Sequence, residues 1–264
     1  MKKILMVFFV LTIACGFVMA EGLGLDVGVD FTFVDVTDVG DSSYLLTPNV
    51  EYANSFGDVD VDIYFEYPVG FGTEDEEISQ QPYLEEEVGY NLSLGEASTL
   101  SFILNNNNTF LLSPELPDGF NKLLGTVEPS VLFNQAFGFG DLYAQVGFPI
   151  DYLPEAENGD IGIGSYLLLG FAHGSGFGAE LTFNLALSPD SEYAETELLL
   201  SYERDAIYAG LDVVADKEFK VFTITPEFDY SINALTLWAN VELDGIGSDG
   251  DVIISPTVGV KYSF

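Results

Sequence analysis

From residue 22 onward, apolar and polar positions alternate with a period of two. In LGLDVGVDFTF (23–33), Leu23, Leu25, Val27, Val29, Phe31 and Phe33 fall on one face and Gly24, Asp26, Gly28, Asp30 and Thr32 on the other, as side chains do along a β-strand. DVDVDIYFEYPVGF (58–71) repeats the pattern, with Val59, Val61, Ile63, Phe65, Tyr67 and Val69 set against Asp60, Asp62, Tyr64 and Glu66. No long stretch has a helical period. Read throughout in this way, the chain predicts about fourteen strands, roughly 12 to 16 at the limits. They fall near 22–35, 44–54, 58–71, 82–94, 98–106, 124–136, 141–152, 160–172, 177–187, 194–203, 206–215, 219–230, 234–243 and 251–264. Most reach the roughly 9 to 11 residues that a tilted strand needs to cross a bilayer's hydrocarbon.

The connections alternate in length. Short turns carry SFG (55–57), GEA (95–97), GFG (138–140), GSG (174–176), RD (204–205) and SIN (231–233). Longer polar links fall near 36–43, 72–81, 107–123, 153–159, 188–193 and 244–250, with DKE (216–218) the short member of that class. An even number of antiparallel strands with short turns at one end and long loops at the other predicts an all-β, transmembrane, up-and-down barrel with both termini in the periplasm. Proline cannot donate to a strand ladder. Pro48, Pro68, Pro82, Pro129, Pro149, Pro226 and Pro256 are therefore expected near the outer rim, where pairing gives out. Pro48 and Tyr52, Pro129 and Phe133, and Pro226 and Tyr230 share one spacing, a hint that hairpins were duplicated.

The N-terminus reads as a leader: Lys2 and Lys3, an apolar run over Ile4–Val18, then Val18-Met19-Ala20 as a small-residue cleavage site. The run is too short for a membrane-spanning helix. The expected organisation is a signal peptide over 1–20 and a single barrel domain over 21–264. Cys15, the chain's one cysteine, lies within a sequence close to a lipobox, so a lipid-anchored periplasmic β protein stands as an alternative.

Composition then changes the picture. Asp+Glu number 43 against Lys+Arg 7, a formal net charge of −36. That excludes nucleic acid as a partner. Yet 48% of residues are hydrophobic and 14% aromatic, far too apolar for a disordered acidic chain.

The chain ends in TVGVKYSF, where Thr257, Gly259, Tyr262 and Phe264 match the polar, glycine, aromatic and terminal-aromatic positions of the C-terminal β-signal. On these residues, together with the leader and the dyad repeat, the chain resembles the Gram-negative outer-membrane β-barrel superfamily. In strand count and length it looks like the small fourteen-stranded monomeric porins. The resemblance implies two partners, the outer-membrane bilayer and the assembly machinery that reads the β-signal. Fourteen-stranded fatty-acid transporters carry an N-terminal hatch, for which no segment is available here. A soluble β-sandwich that happens to end in Phe264 is the other way to read the same alternation.

A charge facing lipid is costly, so the acids are expected on the lumen face or in loops. The register assigns Asp26, Asp30, Glu51, Asp60, Asp62, Glu66, Glu85, Glu87, Glu128, Asp151, Glu180, Glu195, Glu197, Asp212, Glu227, Asp229 and Glu242 to the lumen, with Lys261 its one clear cation. A tube of this size has a backbone radius of roughly 14 Å and an opening about 15 Å across. Ringed by carboxylates, it attracts cations. The function expected is passive, cation-preferring diffusion of small cationic or neutral solutes. The alternative is a non-conducting surface barrel that binds through its loops. The long link after residue 106 carries Glu115 and Asp118, which would line a constriction if it folds inward as in general porins. Tyr64, Tyr143, Tyr166, Tyr208 and Trp238 are candidate stacking surfaces for sugars. One histidine, His173, near a periplasmic turn leaves no expected catalytic residue, no cofactor and no transition-metal site, and no enzymatic activity is expected.

Overall fold

The computed structural model describes residues 24–34, 43–71, 82–110, 123–152, 162–188, 192–248 and 252–263. The leader, Cys15, Glu115, Asp118, the acids at 73–77 and Phe264 lie outside the described residues. The strands are β1 (Leu25–Val34), β2 (Ser43–Phe56), β3 (Val59–Glu66), β4 (Val69–Phe71), β5 (Tyr83–Ser93), β6 (Ser98–Phe110), β7 (Leu123–Phe137) and β8 (Gly140–Gly147). There follow β9 (Ile150–Tyr152), β10 (Gly162–His173), β11 (Phe177–Ser188), β12 (Glu192–Arg204), β13 (Ile207–Asp216), β14 (Phe222–Ile232), β15 (Leu235–Ile246) and β16 (Ile253–Ser263).

The strands pair antiparallel in chain order, except that β3 pairs with β5 and β8 with β10 while β4 and β9 pair with β2 and with β7 and β10, and β16 returns to β1 over Asp26↔Ser263 through Thr32↔Thr257. The ring is a closed 14-strand barrel, with β4 and β9 continuing β3 and β8 outward. Following the paired residues once round returns to β1 displaced by about 16 residues, which for this strand number sets a tilt of about 40° and a backbone radius of about 13 to 14 Å. Strand contacts run between ring neighbours.

Turn chemistry closes the end of the barrel that carries the short connections. The two-residue loops between β2 and β3, β12 and β13, and β14 and β15 place left-handed residues at Gly57 (φ 71), Asp205 (φ 57) and Asn233 (φ 55). Those residue types accept that backbone at the least steric cost.

Proline explains the two broken strands. Tyr67 N–H donates to Pro48 O at 3.0 Å, and Phe148 N–H to Pro129 O at 3.0 Å. Neither proline can return the second bond of the pair, and the ladder lapses at 67–68 and at 148–149. It resumes in unchanged register: β2 pairs with β3 and β4 alike along one diagonal from Asn49↔Glu66 to Leu46↔Val69. β7 does the same from Ser130↔Gly147 to Val127↔Ile150. The two hairpins also match without a gap, Pro48, Phe56, Gly57, Asp60 and Pro68 corresponding to Pro129, Phe137, Gly138, Asp141 and Pro149. Pro48 and Pro129 thus lie within stretches paired on both sides, deeper than the rim position expected from their chemistry.

A second correction concerns β6. The link expected from residue 107 begins only after Phe110, because Asn107, Asn108, Thr109 and Phe110 stay paired with β5 and β7. Just before them, Asn105 Nδ2 donates to Glu85 Oε1 at 2.7 Å and Asn106 Nδ2 to Glu86 Oε2 at 2.9 Å, which ties β6 to the carboxylates of β5 where the extension starts.

The fold has almost no interior. Among the described residues only Val69 and Ala215 are buried apolar side chains, whereas Val258 is 51%, Phe228 50% and Val88 47% exposed. A soluble sandwich buries one apolar face of each sheet in a core. Here that face points outward all round the ring, a surface that water does not tolerate and lipid does. No helix among the described residues is long and apolar enough to cross a membrane.

Candidate functional site

The polar face is the concave one. Four hydrogen bonds or ion pairs join side chains on strands that are not neighbours but flank a third, and on a closed sheet only inward-pointing groups converge enough to do this. Tyr166 on β10 donates to Glu128 on β7 at 2.7 Å, over β8. Tyr143 on β8 donates to Glu180 on β11 at 2.6 Å, over β10. Trp238 Nε1 on β15 donates to Asp30 on β1 at 3.1 Å, over β16. Lys261 on β16 reaches Glu51 on β2 at 2.8 Å, over β1.

Glycine on the intervening strand makes each aromatic crossing fit. A Cβ on Gly147 would stand 2.2 Å from the Tyr166 ring, one on Gly170 2.0 Å from Tyr143, and one on Gly259 2.1 Å from Trp238 Nε1. The rings therefore lie flat against the wall. Sequence reasoning did not reach these contacts, although the signal was there in glycines occupying inward positions of the alternation.

With the concave face fixed, strand parity puts most of the acids on it. Asp26, Asp30 and Glu51 lie on β1 and β2, paired across Asp26↔Glu51. Asp60, Asp62, Glu66, Glu85 and Glu87 share the inner face of β3 and β5, with Asp62↔Glu87 directly opposed. Glu128 is on β7 beneath Tyr166. Glu180, Glu195, Glu197 and Asp212 occupy β11, β12 and β13, and Glu227 and Asp229 occupy β14. Among residues with described side chains, Glu86 is the one acid at an outward strand position, opposite Ile63 and Asn106.

The wall is satisfied chiefly by neutral donors. Besides Tyr143 and Tyr166, Tyr64 donates to Glu66 at 2.8 Å, Tyr83 to Glu85 at 3.0 Å and Tyr208 to Glu227 at 2.6 Å. Asn49 donates to Asp30 at 2.6 Å, and Thr126 to Asp151 at 2.7 Å. Phenol and amide donors stabilise carboxylates without cancelling their charge. Lys261 is the only basic group on the described lumen wall, and its Nζ is held by Asp26 and Glu51, both at 2.8 Å. The aromatics proposed as sugar surfaces are thus engaged through their polar ends, and their ring faces remain toward the lumen.

The terminal strand is built into this wall. Thr257 Oγ1 meets Thr32 Oγ1 at 2.9 Å, Gly259 underlies Trp238, and Tyr262 points outward at 46% exposure. No group of three or more potential metal ligands occurs among the described residues. His173 Nδ1 accepts the backbone N–H of Ser175 at 3.1 Å within the hairpin after β10.

No protein-family model and no curated protein sequence matches the chain. Among solved structures it is similar to a mutant porin of Rhodopseudomonas blastica, at 12% identity over 91% of this chain and 99% of that one, with a TM-score of 0.44. It is also similar to outer membrane phospholipase A from Escherichia coli, at 14% identity over 69% of this chain and 80% of that one, TM-score 0.46. CdiB from Acinetobacter baumannii superposes at a TM-score of 0.52 and 9% identity over 91% of this chain, which spans 60% of CdiB. At such identities the likeness is one of fold: this chain folds as a β-barrel of the outer-membrane type.

Proposed function

We propose that the chain is a passive, cation-preferring channel of the outer membrane, exported by residues 1–20 and inserted through its C-terminal strand. The observation that carries this reading is the imbalance of the wall: carboxylates on β1, β2, β3 and β5 and on every strand from β11 to β14, against one lumen lysine already held by two of them. Fixed charge of one sign in a tube of about 14 Å backbone radius concentrates counter-ions and excludes co-ions. Small cationic or neutral solutes are the cargo that such a lumen admits. No chemical step belongs to this role.

The test is planar-bilayer conductance of the refolded barrel under a KCl gradient. Stable steps with a reversal potential on the cation side are expected, and Asp60→Asn with Asp62→Asn should move that potential toward zero. Anion selectivity, or silence from a barrel shown to be folded and inserted, would overturn the proposal. Phe264→Ser should separately lower insertion by the cellular machinery, and normal insertion would sink the β-signal assignment.

A further inference from the structure

One row of the wall alternates carboxylates with aromatic rings. Successive register partners across β12 to β1 are Glu203, Tyr208, Asp229, Trp238, Gly259 and Asp30. Asp229 therefore stands one strand from a phenol on one side and one strand from an indole on the other. The row opens into a recess of about 360 Å³ at the periplasmic mouth, whose lining includes Glu203, Tyr208, Asp229, Trp238, Asp26 and Lys261.

Three features of this recess point to a ligand. The indole is pressed against the β16 backbone, since a Cβ on Gly259 would fall 2.1 Å from Nε1. Its opposite face is thereby presented to the lumen. Tyr208 is fixed by its bond to Glu227 at 2.6 Å, which holds its ring as the second side. Asp229 makes no hydrogen bond among the described residues, unlike Asp30 and Glu227 on either hand. The local cation, Lys261, is neutralised by Asp26 and Glu51, so the recess keeps a negative balance.

We infer that this recess binds a small organic cation, an ammonium whose charge meets Asp229 and whose C–H or N–H groups lie against Trp238 and Tyr208. Aromatic faces beside a carboxylate recognise such ions because the ring quadrupole and the full charge attract the same pole, and the hydrated surface of a bare metal ion gains less from the rings. The inference rests on the acidic-lumen reading and assigns it a substrate class.

Trp238 is the chain's only tryptophan, so its fluorescence reports on the recess alone. Refolded protein would be titrated with choline, with the uncharged isostere 3,3-dimethylbutan-1-ol, and with KCl at matched ionic strength. A saturable change with choline, absent with the other two, is expected. Asp229→Asn should weaken the choline response about fivefold, the worth of one partly screened charge contact. No saturable change, an equal response to the isostere, or an undiminished response in Asp229→Asn would overturn the inference. The comparison of choline with its isostere uses the unaltered chain, so it holds even where the variant fails to fold. Conductance is not involved: a barrel that binds choline but does not conduct keeps this site and loses the channel. One that passes K⁺ without answering choline does the reverse.

Discussion

Gly147→Ala tests whether the lumen tyrosines are held by the glycines beneath them. In a strand, alanine is ordinarily the better residue by about 0.5 to 1 kcal/mol, so the default expectation is stabilisation. Here the added methyl would stand 2.2 Å, 2.4 Å and 2.6 Å from Tyr166 Cε1, Cζ and Oη. The ring must leave by more than an ångström, and with it go the bond to Glu128 at 2.7 Å and the bond accepted from Gln145 at 2.8 Å. A hydrogen bond to a charged group is worth roughly 1.5 to 3 kcal/mol and a neutral one roughly 0.5 to 1.5. Lumen water restores part of both, which leaves a net loss of about 1 to 2 kcal/mol. Urea unfolding of the barrel in lipid vesicles reads this directly. The same substitution in a Tyr166→Ala background has no ring to displace and should cost nothing or stabilise slightly. An undiminished cost in that background, or no cost in the unaltered chain, would refute the wall-packing account.

Three further substitutions probe the charges. Lys261→Met leaves Asp26 and Glu51 facing each other without their shared cation; because the three side chains are 25% to 36% exposed, the loss should be only about 1 kcal/mol, with cation selectivity rising in the bilayer. A fall in selectivity would show that Lys261 does not face the ion path. Glu86→Leu and Glu85→Leu should act in opposite directions although the residues adjoin. The first replaces an outward carboxylate with an apolar group, a gain that outweighs the lost bond from Asn106, and should stabilise the inserted barrel by about 0.5 to 1 kcal/mol. The second leaves the donors Tyr83 and Asn105 without their acceptor and should destabilise by a similar amount. Equal signs in vesicle unfolding would mean that the two faces have been assigned wrongly.

The strands were legible because one variable, side-chain parity, decides both structure and environment in a barrel wall. Val27, Val29 and Phe31 alternate with Asp26, Asp30 and Thr32, and a one-residue slip would put the acids into lipid. The same parity puts the carboxylates of β1 to β14, Glu86 apart, on one side. What parity cannot carry is distance round the ring. Trp238 and Asp30 are far apart in sequence and meet only because β16 closes on β1 and Gly259 lies between them. The tyrosines invited a reading as stacking surfaces because composition gives the ring and hides the acceptor of its hydroxyl. Asn107 and Asn108 of β6 read as loop because polar residues of low strand propensity carry no sign of the strands that pair with them on both sides. Pro48 and Pro129 were placed too near the rim, since the sequence records a missing donor and says nothing of how easily the partner strand lapses and resumes.

The two proline-marked hairpins bear on how such a tube came to have its girth. A hairpin is the smallest piece that can be added to an up-and-down ring without reversing the sense of every later strand. When it carries its own interruption, and that interruption leaves the register unchanged, a copy can be spliced in and the seam between first and last strands still meets. Pro48 to Pro68 and Pro129 to Pro149 fit that description at both prolines, at the Phe-Gly turn and in register. The circumference of an up-and-down wall changes in steps of two strands, and these hairpins have the form that such a step needs.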